Sequence, residues 1–163
     1  MQQELITAIR AFCQSDATLK IAVGGNRGDT NTPYVGWNIE TYNYPYATIN
    51  PISGIIQRVF GQRTSDALYS VRWQFSFFGD GSSKAGYEGQ DEAAAVERLC
   101  DLLDQNTLTL VGTSNLMVDC TQAMPPIVTQ FLPRDRKTGS SSKVWVAHVD
   151  FDFTIQGTVG STA

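Results

Sequence analysis

Residues 144–157, with the sequence VWVAHVDFDFTIQG, restrict the fold more than any other stretch, because apolar and polar side chains alternate along them. A period of two residues predicts a β-strand that turns one face to a core and the other face away from it. The side chains of the apolar face are Trp145, Ala147, Val149, Phe151, Phe153 and Ile155. Those of the opposite face are His148, Asp150, Asp152 and Thr154. We therefore expect a long strand whose apolar face is covered by another layer.

A second alternating strand is predicted at residues 67–78, where Trp73, Phe75 and Phe77 share the apolar face. A turn rich in Gly and Ser follows it and leads into a helix predicted at residues 91–105. The apolar stripe of this helix consists of Val96, Leu99, Cys100 and Leu103. We expect the stripe to pack on the aromatic face of the strand.

The rest of the chain contains shorter elements. A helix is predicted at residues 2–13 and a short second one at residues 16–23, with Asp16 as its N-cap. Further strands are expected at residues 34–44, 107–112, 115–123 and 127–133. Pro45 and Pro51 bracket a connection, and residues 53–66 form either an exposed arm or an extension of the next strand.

This order of elements lacks the regular strand–helix–strand alternation of a parallel sheet. It predicts an α+β fold in which an antiparallel or mixed β-sheet packs one face against two α-helices. A chain of 163 residues is long enough to bury one such core. We expect a single domain over residues 1–157 and a flexible C-terminal tail over residues 158–163.

Composition argues against several classes of protein. The formal net charge is −4, whereas sequence-independent DNA binding needs a basic surface. No run approaches the roughly eighteen apolar residues of a membrane-spanning helix, and the N-terminus does not resemble a signal peptide. Cys13, Cys100 and Cys120 are far apart in the sequence, which favours buried free thiols in a reducing compartment.

Asp150 and Asp152 are the strongest candidates for chemistry, since two carboxylates on one strand face can bind a cation or divide acid and base roles. No third acid or Gly-rich loop accompanies them, which favours a solvated or interface-facing strand. His148 is the single histidine, and neither a GxSxG elbow nor a CxxC pair occurs. We therefore expect no catalytic residue, no cofactor, no metal site and no enzyme activity.

Two polar loops allow a more specific interpretation. Arg27, Gly28 and Asp29 spell an integrin-binding tripeptide, but three residues match by chance in many proteins, and we interpret them as a Gly-rich turn. The loop at residues 134–143 contains four of the twelve basic residues: Arg134, Arg136, Lys137 and Lys143. It forms either a solvated hairpin or a contact with an acidic neighbouring subunit or with nucleic acid.

The linear order of these elements resembles the tail terminator, or tail completion, proteins of long-tailed bacteriophages. After the amphipathic N-terminal helix, the features that carry the resemblance are DATL at residues 16–19, PYV at 33–35, VRWQFSFFG at 71–79, EAAAVERLCDLL at 92–103 and a closing pair of strands around a long loop. The resemblance covers nearly the whole chain in order and length.

The resemblance implies a structural α+β protein that forms a homo-oligomeric, six-fold ring on the end of the tail tube. Such a ring stops polymerisation of the tube and joins it to the head connector or neck proteins. DNA passes through it without specific binding, and no membrane is involved. The location implied is the head–tail junction of the virion, after assembly in the host cytoplasm.

In a ring of this kind, Asp150 and Asp152 are candidates for the lumen, because an acidic lumen repels DNA phosphates. The candidates for the subunit interface are Arg134, Arg136, Lys137, Lys143 and Phe78. A head-completion or neck protein of the same junction is the nearest alternative. A small cytoplasmic α+β ligand-binding module or enzyme is the alternative from a different class.

Overall fold

The computed structural model describes residues 2–36, 43–58, 66–80, 90–110, 117–131 and 144–158. Its helices are α1 (Gln2–Ser15), α2 (Ala17–Ala22) and α3 (Gln90–Leu103), and a 3-10 turn covers Gly25–Arg27. Its strands are β1 (Tyr34–Val35), β2 (Tyr46–Arg58), β3 (Asp66–Gly79), β4 (Thr107–Thr109), β5 (Met117–Gln122), β6 (Ile127–Phe131) and β7 (Val144–Thr158). The two long strands predicted from alternation, β3 and β7, are confirmed.

The described strands form one mixed sheet in the order β1-β2-β3-β7-β5-β4. β1 runs parallel to β2, and every other described pair is antiparallel. β6 pairs with residues 144–148 of β7, while β5 pairs with residues 151–155, so the two short strands follow one another along the same side of β7. The α+β class and the mixed sheet are therefore confirmed.

The main core lies between the helices and one face of the sheet. Trp73, Phe75 and Phe77 from β3 are buried there with the stripe of α3, as predicted. The ring of Phe75 packs edge-on against Phe151 of β7, with ring centres 5.8 Å apart. Burial of such large apolar side chains is the main favourable term in folding.

Two predictions about β1 and β2 are wrong. The strand expected at residues 34–44 is limited to Tyr34–Val35 among the described residues, and residues 37–42 lie outside them. The expected connection between Pro45 and Pro51 belongs to β2, which also includes residues 53–58. Pro51 lacks a backbone N–H, yet it fits here because the register of β2 against β3 shifts between Pro51 and Ser53.

The helix ends follow from local hydrogen bonding. The Asp16 carboxylate accepts from the backbone N–H groups of Thr18 and Leu19 and caps α2, as predicted. Beyond α3, Gln105 adopts a left-handed conformation with φ of 56°. The Asn106 side chain then donates to the Leu102 carbonyl at 2.9 Å and satisfies a carbonyl at the helix end.

The cysteines are free, and Cys13 and Cys120 are buried while Cys100 is half-buried. Burial raises the pKa of the Cys13 and Cys120 thiols to about 12 and that of Cys100 to about 11. These thiols are therefore poor nucleophiles near neutral pH. Within the described ranges, no helix combines the length and the apolar character needed to cross a membrane.

Candidate functional site

The face of the sheet that points away from the helices carries three polar side-chain pairs, which we call the polar ladder. Residues of β3 and β7 lie directly opposite each other in each pair: Arg72 and Asp152, Gln74 and Asp150, Ser76 and His148. Side chains directly opposite each other in an antiparallel sheet are close enough to bond. Alternation predicted His148, Asp150 and Asp152 on this face, and the structure shows that each of them has a hydrogen-bonded partner there.

Arg72 and Asp152 form the first pair of the ladder. The Arg72 Nε and Nη2 atoms each donate to one Asp152 carboxylate oxygen at 2.8 Å. These hydrogen bonds and the negative charge of Asp152 raise the pKa of the Arg72 guanidinium above its ordinary value, which is already high. The charge of Asp152 is thus offset within the same chain.

Asp150 forms the middle pair of the ladder and is less accessible than the sequence suggested. Its side chain accepts from Gln74 Nε2 at 3.2 Å, and the residue is only 6% exposed. Thr48 and Asn50 of β2, which lie opposite Ser76 and Gln74, are also buried. Of the two alternatives for this strand face, solvated or facing an interface, free solvation is therefore wrong for Asp150, while its lumen role and that of Asp152 remain predictions.

Ser76 and His148 form the third pair of the ladder, and the Ser76 hydroxyl and His148 Nδ1 are hydrogen-bonded at 2.8 Å. A serine next to a histidine is the minimal arrangement of a nucleophile and its base. Ser76 is fully buried, however, so a substrate cannot reach its hydroxyl in this conformation. Burial lowers the pKa of His148, while the nearby charge of Asp150 acts in the opposite direction. The pair is therefore best understood as part of the packing between β3 and β7.

Phe78 begins an apolar continuation of the same sheet face. It points away from the helices, as alternation predicted, and its ring stacks on Tyr46 with ring centres 4.7 Å apart. Val144 and Val146 of β7 complete this second, smaller apolar cluster. Phe78 is 2% exposed within this single chain, so its packing has an intramolecular reason. Its role at a subunit interface remains a prediction.

β6 forms a free edge of the sheet within the described part of the chain, because it pairs with β7 on one side only. Ile127 is 48% exposed and Val128 is 40% exposed, and they point to opposite faces. Met124, just before the strand, is exposed as well. A charged side chain is the usual protection of a strand edge, and residues 123–131 contain none. The sequence predicted this strand but not its position at the edge.

The basic residues predicted for the subunit interface, Arg134, Arg136, Lys137 and Lys143, lie outside the described residues. The tripeptide at Arg27 lies inside them and is part of a turn, as predicted. Arg27 donates to the backbone carbonyls of Asn43, Tyr44 and Pro45 at 2.7–3.0 Å. Its side chain therefore holds the neighbouring loop in place.

The described residues contain no group of three or more His, Cys, Asp or Glu side chains placed to hold a metal ion. Neither a protein-family model nor a curated protein sequence matches the chain. Among solved structures, one similar chain belongs to the virion of a native gene transfer agent particle. The superposition has a TM-score of 0.48 at 14% sequence identity and covers 94% of both chains. A similarity of this size carries no argument about function.

Proposed function

We propose that this chain is a structural subunit of a phage-type virion, of the tail terminator type, and that it works without catalysis or cofactor. In this role, copies of the chain form a ring on the end of the tail tube, stop its polymerisation and present a surface to the head connector. The order of the sequence motifs led to this hypothesis, and the shape of the sheet supports it.

The edge of the sheet at β6, which is free among the described residues, is the observation that carries the proposal. A strand edge offers unpaired backbone N–H and C=O groups, and soluble monomers usually protect such edges with charge or by covering them. Here the edge is uncharged and carries the exposed apolar side chains of Ile127 and Val128. An edge of this kind fits pairing with a neighbouring copy, as a closed ring requires.

The exposed pair of the polar ladder, Arg72 and Asp152, fits a surface past which DNA moves without being held. Arg72 is engaged by Asp152, so it is not free to bind phosphates. Asp150 and His148 add no exposed charge, because Asp150 is only 6% exposed and the lowered pKa of His148 keeps that ring neutral near pH 7. A polar surface without an unpaired positive charge does not retain DNA.

A tube-capping assay tests the function directly. The tail tube protein encoded in the same genome is polymerised with and without this chain, and tube lengths are measured by negative-stain electron microscopy. We expect rings at tube ends and tubes that stop growing once the chain is added. Tubes that keep growing with bare ends would contradict the proposal.

Substitutions at the edge link this function to β6. Val128→Lys adds a charge at an exposed position, so the fold should persist while pairing at the edge weakens. Met117→Lys is the matched control, because Met117 is 62% exposed but lies on β5, where β4 covers the strand. We expect Val128→Lys to abolish capping and Met117→Lys to retain it. Equal capping by both variants would show that β6 is not the contact.

A further inference from the structure

A groove of about 460 Å³ lies between the start of α1 and the side of the sheet formed by β2. Its lining consists of Gln2 and Leu5 of α1, residues 51–54 of β2, Val71 and Trp73 of β3 and Ile155 of β7. The described residues that line it include no charged side chain, and we call it the apolar groove. Trp73 and Ile155 are part of the main core, so the groove extends from the surface to the core.

The rim of the apolar groove at β2 is exposed and irregular. The register of β2 against β3 shifts between Pro51 and Ser53, and Ile52 between them is 50% exposed. β1 pairs with residues 48–49 only, so the outer edge of residues 50–54 has no partner strand among the described residues. An apolar side chain beside an open strand edge is a feature of sites where another strand adds to a sheet.

The edge of the sheet at β6 has a matching apolar side chain. Val128 is 40% exposed and lies opposite Ala147 of β7, which is buried in the main core, so Val128 points to the helix side of the sheet. Ile127 lies opposite His148 and points to the side of the polar ladder. Trp73 of the groove also points to the helix side. Val128 and the apolar groove therefore lie on the same side of the sheet.

Val128 is too far from the groove of its own chain to enter it. Its partner Ala147 precedes Ile155 of the groove by eight residues along β7, which is roughly 26 Å at about 3.3 Å per residue. β3 and β7 also separate β6 from the rim at β2. Two exposed, uncharged apolar surfaces that cannot meet within one chain fit a contact between two copies.

We propose that the apolar groove binds Val128 of a neighbouring copy, with β6 of that copy added to the outer edge of β2. This inference rests on the proposed ring, because it names the surface that receives β6. The sheets of the two copies then continue one another with their helices on the same side. Each copy inserts β6 beside one neighbour and receives β6 from the other, and a head-to-tail contact of this kind can close into a ring.

Two serine variants separate the sides of β6. Val128→Ser removes an apolar side chain on the groove side, and Ile127→Ser removes a similarly exposed one on the other side. Circular dichroism establishes that both variants fold. The protein concentration needed for assembly is then measured in free solution by native mass spectrometry and on tail tubes by electron microscopy.

We expect Val128→Ser to need about tenfold more protein for assembly than the wild type, because the groove buries an apolar side chain of that size. Ile127→Ser should stay within about twofold of the wild type. Equal effects of the two substitutions would overturn the inference. A wild type that stays monomeric in both settings would overturn it as well.

Disulfide trapping tests the contact itself. Ile52→Cys and Val128→Cys chains are each prepared with Cys100→Ser, because Cys100 is half-buried whereas the other native thiols are buried. The two chains are mixed and oxidised with copper phenanthroline, with and without tail tubes. We expect a mixed dimer linked through positions 52 and 128, and none when Met117→Cys on β5 replaces Val128→Cys. Absence of the mixed dimer in both settings would overturn the inference.

A labelling experiment tests the tail tube protein as another occupant of the groove. The thiol of an Ile52→Cys, Val128→Lys, Cys100→Ser chain is reacted with a maleimide, and we expect equal rates with and without tail tubes. Slower labelling on tubes would assign the groove to the tube protein and overturn the inference.

The trapping and capping assays together keep this contact separate from the proposed function. Dimers linked through positions 52 and 128 without capped tubes would support the contact and contradict the function. Capped tubes without these dimers would support the function and contradict the contact.

Discussion

Arg72 of β3 and Asp152 of β7 face each other across the sheet and share two hydrogen bonds of 2.8 Å. The parallel arrangement uses both carboxylate oxygens and two donors of the guanidinium group, a geometry that lysine cannot reproduce. The two side chains are 37% and 30% exposed, so water and salt screen the pair in part. The pair fixes the register of the two longest strands on their polar face and offsets a charge there.

A double-mutant cycle measures the energy of this pair. Arg72→Met, Asp152→Asn and the combined variant are compared by urea unfolding at low and high salt. Because the pair is partly exposed, we expect a coupling free energy of at most about 1 kcal/mol at low salt, and less at high salt. A coupling of several kcal/mol that does not change with salt would contradict the exposure of the two side chains.

The faces of β3 and β7 were predictable from the sequence because the period of two residues is a local property. The placement of Phe75 toward the helices and of Asp152 away from them required nothing beyond that period. The path of β2 was not predictable in the same way. Pro51 looks like the end of a strand locally, but the bulge beside it depends on pairing with β3, which is distant in sequence.

Phe75 and Phe78 allow the two apolar clusters to be compared. Both side chains are almost fully buried, one against the helices and one on the opposite face with Tyr46. We expect Phe75→Ala to lower the unfolding free energy by about 3–5 kcal/mol. Phe78→Ala should lower it by about 3 kcal/mol, at the lower end of that range, because the cluster around Phe78 is smaller. Chemical denaturation of the isolated chain measures both.

The Phe78 result also constrains the interface hypothesis. If Phe78→Ala unfolds at the wild-type midpoint, its packing within the chain is unimportant and a role between subunits gains weight. If the variant is destabilised as expected, a failure to assemble would reflect the loss of fold. A conservative Phe78→Leu variant, which keeps most of the apolar volume, then tests assembly in a folded chain.

His148 should make the fold less stable in mild acid. Its pKa in the folded chain lies below the ordinary 6.5, so the folded chain binds fewer protons than the unfolded chain in the interval between the two values. Unfolding is therefore favoured as the pH falls through about 6.5 toward the folded pKa. The neighbours that face the ring are Ser76 of β3, Ile127 of β6 and the charged Asp150 of its own strand.

The measurement compares wild type with His148→Gln by urea unfolding between pH 5 and pH 8. We expect the wild type to lose stability relative to the variant as the pH is lowered, with no such difference above about pH 7.5. The comparison cancels other groups that titrate in both proteins, such as Glu92. A wild type that gains stability relative to the variant in acid would show that the folded pKa of His148 is raised.

The polar ladder and the buried side chain of Glu92 differ in how far the sequence could reveal them. Asp150 and Asp152 were found because they share one strand face, but their partners Gln74 and Arg72 depend on the register of β3 against β7. From the sequence, Glu92 could be recognised only as an acidic residue in the first turn of a helix, where its negative charge interacts favourably with the helix dipole. Its burial over Gly79 depends on how α3 packs on the end of β3, for which no local pattern exists.

Arg27 links the turn beside α2 to the loop at residues 43–45. Its three hydrogen bonds all go to backbone carbonyls of residues 43–45, so substitution leaves those carbonyls to water and loosens the loop. We expect Arg27→Ala to lower the unfolding free energy by about 1–3 kcal/mol. Lys20 is an exposed basic residue on α2, so Lys20→Ala should change the unfolding free energy by less than about 0.5 kcal/mol.

Urea unfolding of both variants, followed by circular dichroism, measures these changes. Equal unfolding free energies of Arg27→Ala and Lys20→Ala would show that the three hydrogen bonds of Arg27 contribute nothing to the stability of the chain.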